Sequence, residues 1–169
     1  MKNKKLLALI CASVLAIGSL TACSSATDAP ENTETSTPAE GTEAAALVDG
    51  TYRAEYDKED SRGWKGFVEV TVEGGKMTAA TFDYINADGA LKSADEGYNT
   101  SMKEVAGTGP AEFTVALTES LIATQDPAKV DVVTGATSSS QEFVNFTTAL
   151  MAQMQEGNTE VLVVAQPAE

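Results

Sequence analysis

The segment 131–138 combines a glycine with several hydroxyl side chains in front of a predicted helix. It reads Asp131-Val132-Val133-Thr134-Gly135-Ala136-Thr137-Ser138. Gly135 permits a tight turn and a close approach of the backbone to a ligand. The free N–H groups and the dipole of a helix that begins near Ser138 or Ser139 favour a phosphate at this position. The hydroxyl of Thr137 is therefore suited to form a phosphate ester, because those amides solvate the negative charge of the product.

The same residue types also have a simpler interpretation. Ser and Thr in front of a helix are common N-caps, and Gly is common in the turn before a cap. Local physical chemistry alone therefore does not decide whether Thr137 is a capping hydroxyl or a phosphate acceptor.

The residue types that are absent narrow the possible chemistry. The chain has no His, which excludes His-based acid–base catalysis, Ser-His-Asp triads and His-ligated haem or zinc. Its 2 cysteines, Cys11 and Cys23, both lie near the N-terminus. A disulfide framework, an iron–sulfur cluster and a CxxC redox pair are therefore excluded from the remainder. Redox chemistry there would need an organic cofactor.

No metal site is predicted. The run Asn86-Ala87-Asp88-Gly89 is like the centre of a calcium loop, but Tyr84 and Asp95 stand where such a loop has its first and last acidic ligands. A turn is the better interpretation.

The N-terminus predicts export and attachment to lipid. Met1–Lys5 is basic, residues 6–20 are apolar, and Leu20-Thr21-Ala22-Cys23 follows. The run resembles the lipobox of bacterial lipoproteins, whose cysteine is acylated and becomes the mature N-terminus. We predict a signal peptide over residues 1–22 and an anchor in the lipid bilayer through acyl chains on Cys23, each buried methylene contributing about 0.8 kcal/mol. The alternative is an ordinary signal peptide with an incidental cysteine.

The charge of the chain excludes nucleic acid as a partner. The 11 basic and 25 acidic residues give a net charge of −14, and removal of the signal peptide with its three lysines brings it near −17. Such a surface repels phosphates. Residues 23–46 begin with the lipidated cysteine and continue with Ser, Thr, Glu, Pro and Ala. Because this composition cannot bury a core, we predict a disordered acidic tether.

Residues 47–165 predict a single α+β domain, an antiparallel β-sheet meander with helices packed on it. Alternating apolar residues and the Gly74-Gly75 turn predict strands over 50–56, 65–72 and 76–84. A short buried strand over 129–133 and an edge strand over 160–164 are also expected. Helices are predicted over 95–106, from Pro110 onward and over about 139–154. Two apolar helix stripes are assigned to the core: Phe113, Ala116, Leu117, Ser120 and Leu121, then Phe143, Phe146, Leu150, Met151 and Met154.

The 131–138 segment resembles the flavinylation motif Asp-x-x-Ser/Thr-Gly-Ala-Thr of the FMN-binding domain family. Every specified position of the motif is matched, by Asp131, Thr134, Gly135, Ala136 and Thr137. Segments across about residues 48–152 are also similar to the pheromone-lipoprotein type of this domain. They are Gly63–Val68, Asp83–Gly89, Leu91–Ser93, Tyr98-Asn99 and Pro110–Phe113.

In that family an FAD:protein FMN transferase cleaves FAD and joins FMN to the last threonine of the motif as a phosphodiester. The resemblance therefore implies covalent FMN on Thr137. It implies that Asp131 and Thr134 serve recognition by the transferase and the geometry of the turn. The remaining residues of the site within this segment would be Gly135, Ala136 and Ser138.

Four residues outside the motif are further candidates for contact with the flavin. Trp64, Tyr84 and Tyr98 are candidates for an aromatic wall against the isoalloxazine ring, although each suits a core or edge position equally well. Lys92 is a candidate for stabilising a reduced, anionic flavin. Its alternative is an exposed, solvated lysine.

The resemblance implies a redox carrier more than a self-standing enzyme. The protein would lie on the outer face of the cytoplasmic membrane of a Gram-positive bacterium. It would take electrons from a membrane quinol or NADH oxidoreductase, or from another surface flavoprotein, and pass them to an external acceptor. Two alternatives stay open: a lipoprotein module that holds FMN or another small ligand noncovalently, and an interaction protein without a cofactor.

Overall fold

Three consecutive strands form the antiparallel meander that the sequence predicts. The structure, a computed structural model, describes residues 46 to 168. The predicted signal peptide, Cys23 and the predicted tether up to residue 45 lie outside the described residues. The strands are β1 (Gly50–Tyr56), β2 (Lys65–Glu73) and β3 (Lys76–Ile85), and each pairs antiparallel with the next. Their register places Ala54 opposite Val68 and Val68 opposite Phe82, so apolar side chains share one face.

A fourth strand makes the sheet mixed. Strand β4 (Leu162–Val164) is shorter than predicted and pairs parallel with β1, in the order β3-β2-β1-β4. The direction follows from where the last helix ends. The Val48 N–H just before β1 donates to the carbonyl of Met154 near that helix end, at 2.7 Å. The chain that leaves the helix therefore starts level with the beginning of β1 and runs in the same direction, pairing with residues 54–56. The α+β class is confirmed, and only the meander is antiparallel.

Two helices cover the apolar face of the sheet. Helix α2 (Pro110–Thr124) packs on β3, and helix α3 (Thr137–Glu156) packs on β1 and β2. The stripes predicted for them are buried at most positions, but Ala116 is exposed and Thr114 is buried in its place. Thr114 is tolerated there because its hydroxyl donates to the carbonyl of Pro110 at 2.7 Å.

Helix α1 (Glu96–Ala106) is peripheral to this core, since none of its residues is buried. It begins where the sequence predicts, because the side chain of Asp95 accepts a hydrogen bond from the Tyr98 N–H. In the part of the chain that the structure describes, no helix is both long and apolar enough to cross a lipid bilayer.

The short buried strand predicted over 129–133 is wrong. A 3-10 helix, Pro127–Lys129, stands at its beginning, because the Asp126 side chain accepts from the Ala128 N–H at 3.0 Å. The chain then runs as an irregular loop in which Val130 is buried and Val132 is exposed. The N–H of Val133 is satisfied by a side chain of α3 instead of a neighbouring strand.

Candidate functional site

The loop before α3 is fixed by one buried serine and one glycine. Ser140, 1% exposed, accepts from the Val133 N–H at 3.0 Å and donates to the Ala136 carbonyl at 2.8 Å. Gly135 has φ +83°, and a Cβ there would lie 2.1 Å from the carbonyl oxygen of Ala106. Gly135 is therefore required by a close approach to the end of α1, a reason that the sequence does not disclose.

Helix α3 begins two residues earlier than predicted and without a side-chain cap. Ala136 occupies the N-cap position, and the first intrahelical bond runs from the Ser140 N–H to the Ala136 carbonyl, at 2.8 Å. The N–H groups of Thr137, Ser138 and Ser139 precede that bond. The interpretation of Thr137 as a capping hydroxyl is thus wrong, because Thr137 lies inside the first turn and its side chain is exposed. Uncapped amides and the helix dipole favour an anion here.

A cavity of about 450 Å³ opens beside this helix start. Its volume falls within the usual range for small-molecule sites, roughly 300–1,000 Å³. It is lined by residues from the loop after β1, β3, the 3-10 helix Lys92–Ala94, α1, α2, the loop before α3 and the first turns of α3: Asp60, Arg62, Tyr84, Lys92, Tyr98, Met102, Pro110, Phe113, Gly135, Ala136, Thr137, Ser138, Ser139 and Glu142.

A buried lysine lies at this cavity among three aromatic rings. Lys92 is 7% exposed, and its Nζ lies 4.6 Å from the ring centroids of Tyr84 and Tyr98 and 5.6 Å from that of Trp64. Within residues 46–168 no carboxylate lies within salt-bridge distance of it. The alternative of an exposed, solvated lysine is therefore wrong. Cation–π attraction to the rings compensates part of the cost of burial.

Lys92 is buried because its neighbours are tied to β3. Asp83 is 4% exposed and accepts from the Ser93 N–H at 3.1 Å and from the Ser93 hydroxyl. Ile85 and Leu91 form an isolated antiparallel bridge on the other side of the lysine. The 3-10 helix Lys92–Ala94 is thereby held against the sheet.

Asn99 links the Lys92 segment to α1 and α2. Its Nδ2 donates to the carbonyls of Ser93 and Asp95, both at 2.8 Å. Its Oδ1 accepts from the Ala111 N–H, also at 2.8 Å. One side-chain amide thus joins three chain segments that form a wall of the cavity.

Glu142 is a half-buried carboxylate one turn into α3. It accepts a hydrogen bond from the Tyr84 hydroxyl, which also lies 2.9 Å from Ser139 Oγ. Burial raises the pKa of Glu142 above its ordinary value, although hydrogen bonds from Tyr84 and Tyr56 and the charge of Lys92 lower it. The pKa values of Tyr84 and Tyr56 are raised by burial and by the charge of Glu142.

A second cavity of about 680 Å³ is also lined by Thr137. The two cavities share five residues: Asp60, Arg62, Thr137, Ser138 and Glu142. The loop with Asp60 has a defined shape, since the Asp60 carboxylate accepts from the N–H groups of Arg62 and Trp64, both at 2.9 Å. The structure therefore brings a cationic side chain of this loop to the same two cavities as the threonine.

The structure brings most of the predicted site residues together. Seven of them line the first cavity: Tyr84, Lys92, Tyr98, Gly135, Ala136, Thr137 and Ser138. Trp64 lies beside it through its contact with Lys92. Asp131 and Thr134 are exposed and are not part of its lining.

Sequence reasoning missed Arg62, Ser139 and Glu142 at this cavity. Glu142 had a detectable signal, because Ser139 and Glu142 continue at helical spacing into the buried row of Phe146 and Leu150. A charged residue in a buried row is a candidate for function. Arg62 lies in a polar loop, where the sequence gives no such signal.

Two known proteins are similar to this chain over most of its length. A "15 kDa lipoprotein" of Treponema pallidum (strain Nichols) is 40% identical over 119 residues, which cover 70% of this chain and 84% of that protein. The crystal structure of the CPE2226 protein of Clostridium perfringens has a TM-score of 0.68 at 38% identity, and the match covers 72% of this chain and 99% of that one. No protein-family model matches.

Proposed function

Because the chain belongs to the family of the 15 kDa lipoprotein of Treponema pallidum, we propose that it is anchored to a membrane surface through Cys23. We further propose that its domain carries FMN, joined through phosphate to Thr137, and acts as an electron carrier. The lipoprotein family and the lipobox-like run at Cys23 support the anchor. The site around Thr137 supports the flavin.

One observation carries the flavin proposal. An exposed threonine stands in the uncapped first turn of α3, at the rim of a cavity that holds the buried cation Lys92 and the rings of Tyr84 and Tyr98. A ligand with a phosphate at one end and an aromatic, electron-accepting ring at the other matches these two halves of the site.

The chain's residues have separable tasks in this proposal. The N–H groups of Thr137, Ser138 and Ser139 hold the phosphate, and the dipole of α3 favours its charge. Tyr98 and Tyr84 border the space for the ring system. FMN, when bound, supplies the capacity to accept and release electrons. Lys92 favours whichever redox form of it carries more negative charge.

The attachment step is a transfer of FMN from FAD by an FAD:protein FMN transferase. The Thr137 Oγ–P bond forms as the pyrophosphate bond of FAD breaks, AMP leaves, and the hydroxyl proton of Thr137 passes to solvent. The exposure of Thr137 gives such an enzyme access to the folded chain. Asp131 and Thr134 are also exposed, and so are available for recognition.

The electron donor that we propose is a membrane quinol or NADH oxidoreductase or a neighbouring surface flavoprotein. The acceptor is external to the membrane. A tether over residues 24–46 would let an anchored domain reach both, with a root-mean-square span of about 25–30 Å. Covalent attachment keeps the cofactor from diffusing away at a cell surface.

A noncovalent binding module is the second candidate. It is favoured by the structural role of Gly135, which accounts for one position of the motif without any modification, and by Ser140, which binds the backbone of this loop from outside the motif. The same cavity and the same lysine would then hold FMN or a similar small anionic ligand reversibly.

Mass analysis separates the two candidates. The mature domain is produced with and without an FAD:protein FMN transferase, and its intact mass is measured after denaturation. We expect a gain equal to FMN less one water, lost in Thr137→Val and kept in Ser138→Ala. An unmodified mass, with yellow colour removed by denaturation, would support the noncovalent module.

The carrier role is tested in the bacterium that makes the protein. Deletion of its gene should lower the rate at which cells reduce an external ferric or dye acceptor, and the wild-type gene should restore it. A gene for Thr137→Val should not restore it, although the protein reaches the surface in equal amount. Full restoration by Thr137→Val would contradict a carrier role that depends on attached flavin.

A further inference from the structure

We propose that Glu142 binds a proton whenever the cofactor in the first cavity is reduced, and releases it on oxidation. The inference rests on the proposed function, since it assigns a task to a residue of the same site. Under this inference, a side chain of the protein takes up a proton on reduction, in addition to any proton that the flavin itself takes up.

The position of Glu142 is suited to this task. Its carboxylate accepts from the Tyr84 hydroxyl, and Tyr84 is also in contact with the ammonium of Lys92 through its ring. Glu142 therefore belongs to the group of side chains that would surround the flavin. It also lines the second cavity, which Lys92 does not line, so Glu142 borders a second space open to solvent.

Ionisable groups face Glu142 from every element packed around it. They are Tyr56 from β1, Tyr84 from β3, Lys92 from the 3-10 helix, and Asp60 and Arg62 from the loop between β1 and β2. The tyrosines stay neutral, because burial and Glu142 raise their pKa values. Among the buried side chains of the described chain, Lys92 is the cationic one at this site. Asp60 is bound by N–H groups of its own loop, whereas Glu142 is hydrogen-bonded to Tyr84, so we assign the proton to Glu142.

Two effects bring Glu142 toward protonation. Burial already raises its pKa above the ordinary value for a glutamate. Negative charge added to a group in the same cavity would raise that pKa further, because charges interact strongly where little water screens them. The coupling is reciprocal: protonation of Glu142 must make reduction easier by the same free energy.

The balance of the step is simple. Electrons come from the donor of the proposed function, and they reduce the cofactor. One proton comes from water and binds a carboxylate oxygen of Glu142, and no covalent bond between Glu142 and the cofactor forms or breaks. When the electrons leave for the acceptor, the proton returns to water.

The test is the midpoint potential of the flavinylated protein as a function of pH. In the wild type we expect a pH range of steeper slope, bounded by the pKa of Glu142 in the oxidised and in the reduced protein, that is lost in Glu142→Gln. In Tyr84→Phe it should move to higher pH, because loss of the donated hydrogen bond raises the pKa of the carboxylate. Glu104→Gln makes the same charge change at an exposed position of α1 and should behave as the wild type. Identical curves for wild type and Glu142→Gln would overturn the inference.

A second measurement needs no variant. A reduced-minus-oxidised infrared spectrum of the flavinylated wild-type protein should gain the C=O band of a protonated carboxylic acid. Absence of that band at every pH would overturn the inference while leaving covalent FMN intact. Failure of the transferase to load the protein would overturn the proposed function, and the inference with it.

Discussion

The α-carbon of Gly135 faces the carbonyl oxygen of Ala106 so closely that a Cβ would lie 2.1 Å from it. The backbone at Gly135 also has φ +83°. Two separate requirements for glycine therefore coincide at the turn before Thr137.

Replacement of Gly135 by Ala should destabilise the fold by about 2–4 kcal/mol, the sum of left-handed strain and overpacking against backbone. Gly107→Ala is a matched control, because Gly107 has φ +80° and open space at its Cβ position. It should lose only about 1 kcal/mol. Urea denaturation of both variants gives the comparison, and equal losses would contradict the close contact.

Ser140→Ala should cost about 1–2 kcal/mol, because it leaves the half-buried N–H of Val133 without its partner. It should also slow the loading of Thr137, since the turn before α3 loses a hydrogen bond at each end. Ser101→Ala, at an exposed position of α1, is the control and should change neither quantity. Stability is read by denaturation, and loading by mass against time. If the Ser140→Ala variant loads at the wild-type rate, the geometry of this turn does not matter for recognition of Thr137 by the transferase.

The stability of the unloaded domain should depend on Glu142 in a defined pH window. Its pKa is raised in the folded state by burial. The stabilisation that it contributes is therefore complete below its unfolded pKa and is lost as pH rises through the folded pKa. Relative to Glu142→Gln, the wild type should lose stability with rising pH from about pH 4 and then level off. Denaturation from about pH 4 to about pH 8 tests this, and a difference that stays constant or grows in the opposite direction would contradict a raised pKa.

Lys92→Met should lower the reduction potential of the flavinylated protein. The variant keeps the apolar stem between Tyr84, Tyr98 and Trp64 but removes the charge that favours the more negative form of the cofactor. We expect a decrease on the order of tens of millivolts, since about 30 mV corresponds to 1.4 kcal/mol for two electrons. Lys76→Met removes an exposed charge and should leave the potential unchanged. A rise in the Lys92→Met potential would contradict the role assigned to Lys92.

The sequence predicts most of the sheet, because the period of two in β2 and the Gly74-Gly75 turn are local signals. It does not predict that β4 runs parallel to β1, since that direction depends on where α3 ends. The strand expected over 129–133 fails for a related reason. Val130 and Val133 are apolar and β-branched, as in a strand. The N–H of Val133, however, donates to the side chain of Ser140 on α3 and not to a neighbouring strand.

The candidate site also has one part that the sequence predicts and another that depends on tertiary contacts. The motif from Asp131 to Thr137 is contiguous and can be recognised in the sequence. The burial of Lys92 cannot, since it depends on the contact of Asp83 with Ser93 across ten positions of the chain. The gathering of Trp64, Tyr84 and Tyr98 around one ammonium is a tertiary arrangement, and no local spacing indicates it.

Asn99 gives the cavity one stiff side. Its amide joins Ser93, Asp95 and Ala111, so a displacement of any one of these segments strains the other two. The wall with Lys92 and Tyr98 should therefore move as one piece. The loop around Asp60, which also lines the cavity, is held by hydrogen bonds within itself. A bulky group should therefore enter and leave past this loop. The stiffness of the loop then sets how wide the entrance to the cavity can open.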